Sequence, residues 1–384
     1  MRRMKFQPII PFIFLKREIR SNGELRECCF LKKDVASQYA EYLKHKVFLL
    51  IGLAILLAVA AICSLKIGVY PLSIRQIISA IGGYENSCVQ HVVLGIRLPR
   101  VLAAMLAGAC LAIAGTAMQT VLKNPLASPF TLGVSQGAAF GAAFAIIILG
   151  AGSVFATGNE SAMLPASCLI VGSAFAGSMI TIIALVVLSS LRDMSPVALI
   201  LAGVALGSFF GAATMLLQYF ASDIQVVSAV FWTFGDLGKA QWSHIGLMSL
   251  LLGITSIFFM MKRWYFNAML WGDDSAKSLG VSVVSLRIIS LVLASLLTSV
   301  VVAFLGIIGF IGLVSPHIVK MVIGQDHRYL FPSAVLFGAL LLLVSDVLAR
   351  TVMSPVVLPV GILTSFVGVP VFLHLLIKHK EIRS

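Results

Sequence analysis

The chain has 384 residues, of which 59% are hydrophobic and only 11% are charged, and its mean hydropathy is +1.03. Soluble domains carry roughly a quarter charged residues, so this composition excludes an ordinary soluble enzyme and predicts a polytopic membrane protein. The formal net charge of +13 would suggest a nucleic-acid partner in a soluble protein. Here the basic residues crowd into the amino-terminal segment and the loops, which favours orientation by the positive-inside rule instead.

Residues 1–46 form a basic extension. They carry eleven Lys and Arg residues and a short apolar run that contains Pro8 and Pro11. No small-residue cleavage site follows that run, so we do not interpret it as a signal peptide. We interpret 1–46 as a cytoplasmic extension that can lie on anionic lipid headgroups, and 47–384 as a transmembrane domain.

Apolar segments of about 20 residues, the length that crosses a bilayer, then recur along the chain. They are 47–65, 99–119, 128–150, 162–190, 196–220, 242–261, 287–307, 331–349 and 359–377. A segment of mixed polarity, 66–96, separates the first two. A tenth segment, 312–323, contains Pro316 and is too short to cross alone, so we expect a partial span packed against protein. The sequence predicts an all-α integral membrane bundle of about ten transmembrane helices.

The distribution of basic residues gives the orientation. With both termini in the cytoplasm, 22 of the 28 Lys and Arg residues lie inside. The six outside are Lys66, Arg75, Arg97, Arg100, Lys239 and Arg350. The positive-inside rule therefore predicts cytoplasmic amino and carboxyl termini.

Glycines recur at four-residue spacing in two of the apolar segments. They are Gly133, Gly137 and Gly141, and then Gly203, Gly207 and Gly211. This spacing lets helix backbones approach closely in lipid, and it also suits helix faces that slide. Gln119 stands alone in its apolar segment. It either bonds a neighbouring helix or lines a transport path.

Sequence signatures of catalysis are absent. There is no G-x-x-x-x-G-K-[ST] phosphate loop, no H-E-x-x-H and no nucleophile elbow. His317 has no partner at ligand spacing, and the six cysteines show no metal-binding pattern, so we predict no metal site and free thiols. We also expect few buried charges in the spans, unlike proton-coupled carriers.

The longest internal loop on the cytoplasmic side, 267–285, has the pattern of two short helices. Gly272 can end the first, and Asp273 or Asp274 can cap the second. Leu270, Ala276 and Leu279 supply an apolar side suited to docking in a partner's groove, with a Leu-Gly pair closing at Gly280. A solvated loop is the alternative.

Three arginines, Arg97, Arg100 and Arg350, fall at the outer ends of their predicted spans. They are either anchors at the membrane edge or exposed guanidiniums that pair with carboxylates of an acidic soluble partner. Asp346 lies four residues before Arg350 and can pair with it on one helix face.

Several motifs in this order closely resemble the FecCD family. They are Arg-Leu-Pro-Arg at 97–100, Gln119, Asn124-Pro125-Leu-Ala-x-Pro at 124–129, and Leu-Gly133-Val-Ser-x-Gly137-Ala at 132–138. The resemblance covers roughly residues 47–380. We assign to the translocation path or to helix packing the residues Gln119, Asn124, Pro125, Gly133, Gly137 and Pro196. These proteins are the membrane-spanning permease subunits of binding-protein-dependent ABC importers for ferric siderophores, haem and vitamin B12.

The resemblance implies a type II ABC importer permease fold and a homodimer with the path on the two-fold axis. It implies two ATPase subunits bound to the 267–285 loop, and an extracytoplasmic binding protein that meets Arg97, Arg100 and Arg350. The chain would bind no cofactor and perform no bond chemistry, because ATP and Mg²⁺ belong to the ATPase. Gly272-Asp273-Asp274 departs from the usual Gly-Glu, and the expected Ser/Thr gate pair is missing at Pro196-Val197.

We therefore interpret the chain as a permease of the cell membrane that imports an iron–siderophore-type chelate. Haem and cobalamin stay open as substrates. From other classes, the alternatives are a stand-alone secondary transporter or channel, and a polytopic membrane enzyme. The absence of catalytic motifs and of a phosphate loop favours a transport subunit that is powered by another chain.

Overall fold

A computed structural model describes residues 24–68, 70–151, 160–191 and 195–381. The chain divides into two compact units, residues 1–48 and residues 49–384. Of the first unit the structure describes residues 24–48, which are helical. Half of the predicted amino-terminal extension, residues 1–23, lies outside the described residues.

The described chain is almost entirely helical, which confirms the predicted all-α class. The helices are α1 (Glu24–Lys66), α2 (Ile74–Ile81), α3 (Ser87–Gln90), α4 (Leu98–Val121), α5 (Val134–Ile147), α6 (Glu160–Ser190), α7 (Pro196–Tyr219), α8 (Asp223–Thr233), α9 (Trp242–Met261), α10 (Arg263–Met269), α11 (Asp273–Ser278), α12 (Val283–Leu305), α13 (Ile311–Ile323), α14 (His327–Thr351) and α15 (Val360–Glu381). A π-helical turn, His91–Arg97, joins α3 to α4 without a break.

Seven of these helices are long and apolar enough to cross a membrane, and three shorter apolar helices complete the ten predicted segments. The short helix α13 confirms the partial span. At about 1.5 Å per residue it extends roughly 20 Å, whereas a hydrocarbon core measures about 30 Å. Its residues Ile311–Pro316 are buried, so it packs against protein.

Two predicted segments have wrong boundaries. The second span starts at Ser87 rather than 99, because the mixed segment already turns helical there. The third segment, predicted over 128–150, is helical only from Val134 to Ile147. The stretch between the second and third spans of the helical bundle, 122–133, is irregular backbone, and we call it the 122–133 break. A further helix, α8, lies between the segments predicted over 196–220 and 242–261.

Helix α4 forms the centre of the bundle. It is buried along most of its length and packs against α14, α12, α13 and α9. Two glycines permit this closeness, since a methyl group at Gly108 would overlap the carbonyl oxygen of Gly338, and one at Gly115 would overlap that of Gly312. Because lipid is as apolar as a leucine side chain, close backbone packing holds such helices together.

The glycine spacing in α5 confirms the predicted close packing. Methyl groups at Gly137 and Gly141 would overlap the backbone of α6 at Gly177 and Ser173. Gly133 has a left-handed φ of +79° and lies against Gly203 and Gly207 of α7. Gly211, the last of the second series, has open space beside it.

Antiparallel helices give the bundle two distinct ends. Helix α4 starts beside Arg350, at the end of α14, and finishes beside Arg287, near the start of α12. We call the end that holds Arg97, Arg100 and Arg350 the Arg97 end, and the end that holds Val121, α10 and α11 the Asp273 end.

Candidate functional site

The loop predicted to dock a partner lies at the Asp273 end as two short helices, α10 and α11. Gly272 separates them with a φ of +113°, a left-handed conformation that side chains rarely adopt. The predicted helix–glycine–helix arrangement is therefore present. Gly280, with a φ of +80°, ends the second helix in the same way.

This loop exposes large apolar side chains. Leu270 is 43% exposed, Trp271 is 70% exposed and Leu279 is 71% exposed, while Ala276 is buried beneath them. The prediction that Ala276 shares the apolar docking side is wrong, because Ala276 instead holds α11 against the bundle. Exposed apolar residues clustered at one end of a bundle are typical of a surface that a partner covers.

Asp273 does not cap α11 with its side chain, contrary to the prediction. Its carboxylate instead accepts a hydrogen bond from Arg287 Nη2 at 3.0 Å and forms an ion pair with Lys123 Nζ at 2.8 Å. Burial alone would raise the pKa of Asp273, but hydrogen bonds from Lys123 and Arg287 and their charges lower it below its usual value. Asp274 points outward, with its side chain fully exposed, and pairs loosely with Lys277 at 3.5 Å.

Arg287 joins this cluster to the central helix. Its Nε donates to the carbonyl oxygen of Val121, the last residue of α4, at 2.9 Å. Neither Lys123 nor Arg287 was singled out from the sequence. In the sequence, Lys123 is one cation in the 122–133 break and Arg287 is one cation at the start of an apolar segment. Both look like ordinary charges at the end of a membrane span, so the sequence offers no reason to pair them.

The 122–133 break is shaped by Asn124 and Pro125, which the sequence assigned to path or packing. The side-chain oxygen of Asn124 accepts from the backbone N–H of Leu126 at 2.9 Å, and its carbonyl accepts from that of Ala127 at 3.1 Å. These bonds make an Asx turn, in which proline fixes the following φ. Both residues therefore form the tight turn that leaves α4.

Gln119 ties α4 to α13. Its Nε2 donates to the carbonyl oxygen of Leu313 at 3.1 Å, and its Oε1 accepts from Lys320 Nζ at 3.0 Å. The predicted hydrogen bond to a neighbouring helix is thus present. Pro196 is the first residue of α7, after Ser195, whose hydroxyl accepts from Ala198 N–H at 3.2 Å. The residues just before this turn, 192–194, lie outside the described residues.

A buried polar network near the same end was missed by the sequence reading. Asn267 Oδ1 accepts from both the backbone N–H of His327, at 2.9 Å, and its Nδ1, at 2.7 Å. In the neutral ring Nε2 is then the acceptor and faces the Thr120 hydroxyl at 2.9 Å. Asn267 Nδ2 donates to Asp326 at 3.0 Å. The network joins α10 to the start of α14.

At the Arg97 end the three arginines point inward. Arg100 Nε donates to Asp346 Oδ1 at 2.9 Å, and Arg350 Nε lies 3.0 Å from Asp346 Oδ2. The pairing of Asp346 with Arg350 on one helix face is confirmed. The Asp346 side chain is 0% exposed, so the carboxylate is fully enclosed between two guanidiniums.

Arg97 and Arg350 also bind the carboxyl end of α1. Arg97 Nη1 donates to the Leu65 carbonyl at 2.8 Å, and Arg350 donates to Ser64 Oγ at 2.7 Å and to the Ile67 carbonyl at 2.9 Å. The last carbonyls of a helix lack intrahelical partners and attract cations. Of the two alternatives for these arginines, exposed guanidiniums are therefore wrong, and docking of the binding protein stays a prediction.

The expectation of few buried charges in the spans is also wrong. Arg97, Arg287 and Asp346 are all buried. Each lies near a helix end, where it pairs with an opposite charge or satisfies a carbonyl. Burial of this kind stabilises helix junctions, so buried charge does not distinguish between kinds of transporter. Among the described residues, no group of three or more His, Cys, Asp or Glu side chains could hold a metal ion.

Comparison with known proteins decides the family. Residues 56–378 match the FecCD transport family. The chain belongs to the FecCD family. Over 345 residues it is 50% identical to an ABC transporter permease protein of Methanocaldococcus jannaschii, covering 90% of this chain and 98% of the relative. It is 40% identical to the hemin transport system permease protein HmuU of Yersinia pestis, over 86% of this chain and 96% of the relative.

A solved structure agrees with this FecCD assignment. A "metal-chelate type ABC transporter" in an inward-facing conformation superposes with a TM-score of 0.74 at 33% identity, covering 86% of this chain and 99% of that chain. The vitamin B12 import permease BtuC of Vibrio vulnificus is 32% identical over 87% of this chain and 94% of the relative. This FecCD protein is thus a multi-pass ABC importer permease of the iron-chelate, hemin or B12 type.

Proposed function

We propose that the chain is the permease subunit of a binding-protein-dependent importer that moves an iron chelate of the siderophore type across the cell membrane. The proposal includes a homodimer, two ATPase subunits and an extracytoplasmic binding protein. The observation that carries it is the exposed apolar surface of Leu270, Trp271 and Leu279 on the short helices at the Asp273 end. In a FecCD permease this loop is where the ATPase is expected to dock.

The proposal assigns the Asp273 end to the cytoplasm. Lys123, Lys262, Arg263 and Lys277 all belong to this end, and the positive-inside rule favours it. A cysteine placed at Lys277 should react with a membrane-impermeant maleimide only after permeabilisation, whereas one placed at Lys239 should react in intact cells. The reverse pattern would contradict the orientation.

The substrate is proposed from the relatives. One is the Fe(3+)-citrate import system permease protein YfmE of Bacillus subtilis, which is 34% identical over 87% of this chain. Another is the iron(3+)-hydroxamate import system permease protein FhuB of the same organism, which is 32% identical over 96% of this chain. The hemin permease at 40% identity makes haem the second candidate. Cobalamin follows from BtuC.

In this proposal the permease carries out no bond chemistry, and ATP and Mg²⁺ bind the partner ATPase. ATP binding and hydrolysis there would change the dimer between outward-open and inward-open states. Several long helices, α7 and α9 among them, bury little of their surface within one chain, which leaves area for lipid and a second copy. A stand-alone secondary transporter would need no ATPase surface.

The test is co-purification of the full-length chain with its co-expressed ATPase, followed by ATP hydrolysis in liposomes with the binding protein and hemin, ferric citrate or cobalamin. Replacing Leu270 and Leu279 with Asp should abolish ATPase association. Because both side chains are exposed, thermal stability should change little. Gln325→Asp, which adds charge at another exposed position of the same end, is the control.

Three results would contradict the proposal. The chain could hydrolyse ATP alone, the double variant could retain the ATPase, or the wild-type chain could move substrate along an ion gradient without any ATPase. The last result would support a secondary transporter. Stimulation by one loaded binding protein would identify the substrate.

A further inference from the structure

Lys123 occupies a backbone position that ordinarily suits glycine. It follows α4 with a φ of +48°. Its N–H donates to the Thr120 carbonyl at 3.2 Å, and the N–H of Asn124 donates to the Gln119 carbonyl at 3.2 Å. This pair of bonds is the Schellman motif, whose left-handed residue is usually glycine. A side chain there costs roughly 1–2 kcal/mol, so the lysine needs another reason.

The lysine side chain supplies that reason through Asp273. Its ammonium lies 2.8 Å from Asp273 Oδ1, while Arg287 Nη2 lies 3.0 Å from Oδ2. Arg287 in turn holds the carbonyl oxygen of Val121 at 2.9 Å. The first residue of α11 is therefore fastened to the last residue of α4 and to the start of the 122–133 break by three polar contacts.

We propose that Asp273, Lys123 and Arg287 are positioning residues that transmit movement of α11 to the carboxyl end of α4 and to the 122–133 break. The inference rests on the proposed function, in which the ATPase docks on α10 and α11. It adds the contacts through which movement caused by ATPase docking is transmitted to the central helix α4. Through Gln119, Gly115 and their contacts with α13, the same helix end continues into the bundle.

Packing alone fastens α11 weakly. The helix has six residues and only Ala276 is buried, and so short a helix is not stable by itself. Side-chain exposures of 29% for Asp273 and 36% for Lys123 keep the ion pair partly solvated. A pair of this kind contributes little to folding stability, so loss of the Lys123 ammonium should change coupling more than stability. Arg287 is only 3% exposed, so the thermal midpoint of Asp273→Asn is measured as well.

Two variants test the inference in the complex of full-length permease, ATPase and binding protein in liposomes. Asp273→Asn removes the shared charge. Lys123→Gly removes the ammonium and relieves the left-handed backbone, so misfolding does not explain its effect. Lys123→Gly should bind the ATPase and hydrolyse ATP as the wild type does. Asp273 lies in the docking loop, so ATPase binding by Asp273→Asn is measured beside its transport. Transport per ATP should fall roughly 5-fold or more, the lower range of measured couplings between sites.

The transport probe is whichever of hemin, ferric citrate and cobalamin the wild-type complex moves. A second readout needs no substrate. Spin labels at the exposed residues Leu126 and Lys277 should keep a fixed separation in the wild type when ATP is added. In Asp273→Asn and Lys123→Gly that separation should change with ATP, because α11 no longer carries the 122–133 break with it.

Matched changes separate this role from simple charge effects. Lys262→Ala removes another cation of the Asp273 end, one that lies 4.8 Å from the Tyr265 ring centre, and should leave transport per ATP unchanged. Asp274→Asn makes the same charge change on the exposed face of α11, so any loss of ATPase binding measures charge alone. The double variant Asp273→Asn/Lys123→Gly should be no worse than the more impaired single variant.

The inference is overturned if both variants transport per ATP as the wild type does and the labels stay fixed. It is also overturned if either variant loses transport only in proportion to lost ATPase binding, since that would make Asp273 a docking contact. If the wild-type chain binds no ATPase, the proposed function fails first, and the inference fails with it.

Discussion

The two ends of the bundle use the same kind of ionic cluster in opposite ways. At the Arg97 end a carboxylate that is fully enclosed, Asp346, lies between Arg100 and Arg350. At the Asp273 end a carboxylate that is partly exposed, Asp273, lies between Lys123 and Arg287. Each cluster therefore consists of one aspartate and two cations that join separate helices.

Burial determines what each cluster can do. An enclosed ion pair is costly to break, because each partner would be left charged without water. The Lys123–Asp273 pair is partly solvated and separates and re-forms at small cost, whereas Arg287, on the other side of Asp273, is 3% exposed. The Arg97 end is therefore suited to hold α1, α4 and α14 together. The Asp273 end, beside exposed apolar side chains, is suited to a part that moves when a partner binds.

The largest effect is expected for Asp346→Asn. It leaves two buried guanidiniums without a counter-charge, which should lower the free energy of unfolding by roughly 3–5 kcal/mol. The measurement is the thermal midpoint of the detergent-solubilised protein. Asp223→Asn, at an exposed carboxylate, is the matched control. A wild-type midpoint for Asp346→Asn would contradict the assignment of this end as structural.

The next effect is expected for Arg97→Gln. Its guanidinium donates to the carbonyls of Leu65, Lys66 and Tyr70, and unsatisfied buried acceptors cost about 1–3 kcal/mol. In Arg97→Gln the rate of backbone amide hydrogen exchange should rise at the carboxyl end of α1. The control Arg75→Gln removes an exposed cation of the same end and should leave this rate unchanged. Charge reversal at Arg97 should therefore destabilise the bundle and also impair docking of the binding protein. If the charge-reversed variant is as stable as the wild type, Arg97 would serve docking alone.

A smaller, pH-dependent effect is expected at Asp326, which caps α14 at the Asp273 end. Burial alone would raise its pKa, but hydrogen bonds from Arg328 and Asn267 lower it to about 2. The ionised Asp326 carboxylate makes its full contribution to folding stability above the unfolded pKa of about 3.9. That contribution is lost as the pH falls through about 2. Asp326→Asn should lower the free energy of unfolding by about 1–2 kcal/mol at pH 7. The difference in this free energy between wild type and variant should become smaller below pH 4. A constant difference would contradict the charge as its cause.

The smallest stability effect is expected for Lys123→Gly. Loss of a partly exposed ion pair, worth about 0–1 kcal/mol, is offset by relief of the left-handed backbone. The thermal midpoint should stay within a few degrees of wild type or rise. A large decrease would show that the cluster at the Asp273 end is as structural as the one at the Arg97 end.

Sequence reasoning predicted the helices well and the contacts unevenly. Apolar length located all ten segments, and four-residue glycine spacing predicted the packing of α5 on α6 at Gly137 and Gly141. It misplaced the start of the third segment, because residues 128–133 carry no charge and continue the apolar run, while the turn bonds of the 122–133 break are not visible in composition. The inward orientation of Arg97 was not predicted, because a boundary arginine has the same sequence pattern whether it points outward or inward.

The sequence by itself determined the membrane class, the all-α fold, the family through its ordered motifs, and the helix–glycine–helix loop at Gly272. These features depend on local pattern: apolar length, glycine spacing and turn residues. Only the tertiary structure decided which charges are buried and which partners they take. Asp273 meets Lys123 across 150 residues of chain and Arg100 meets Asp346 across 246, and no local pattern encodes a contact between segments so far apart.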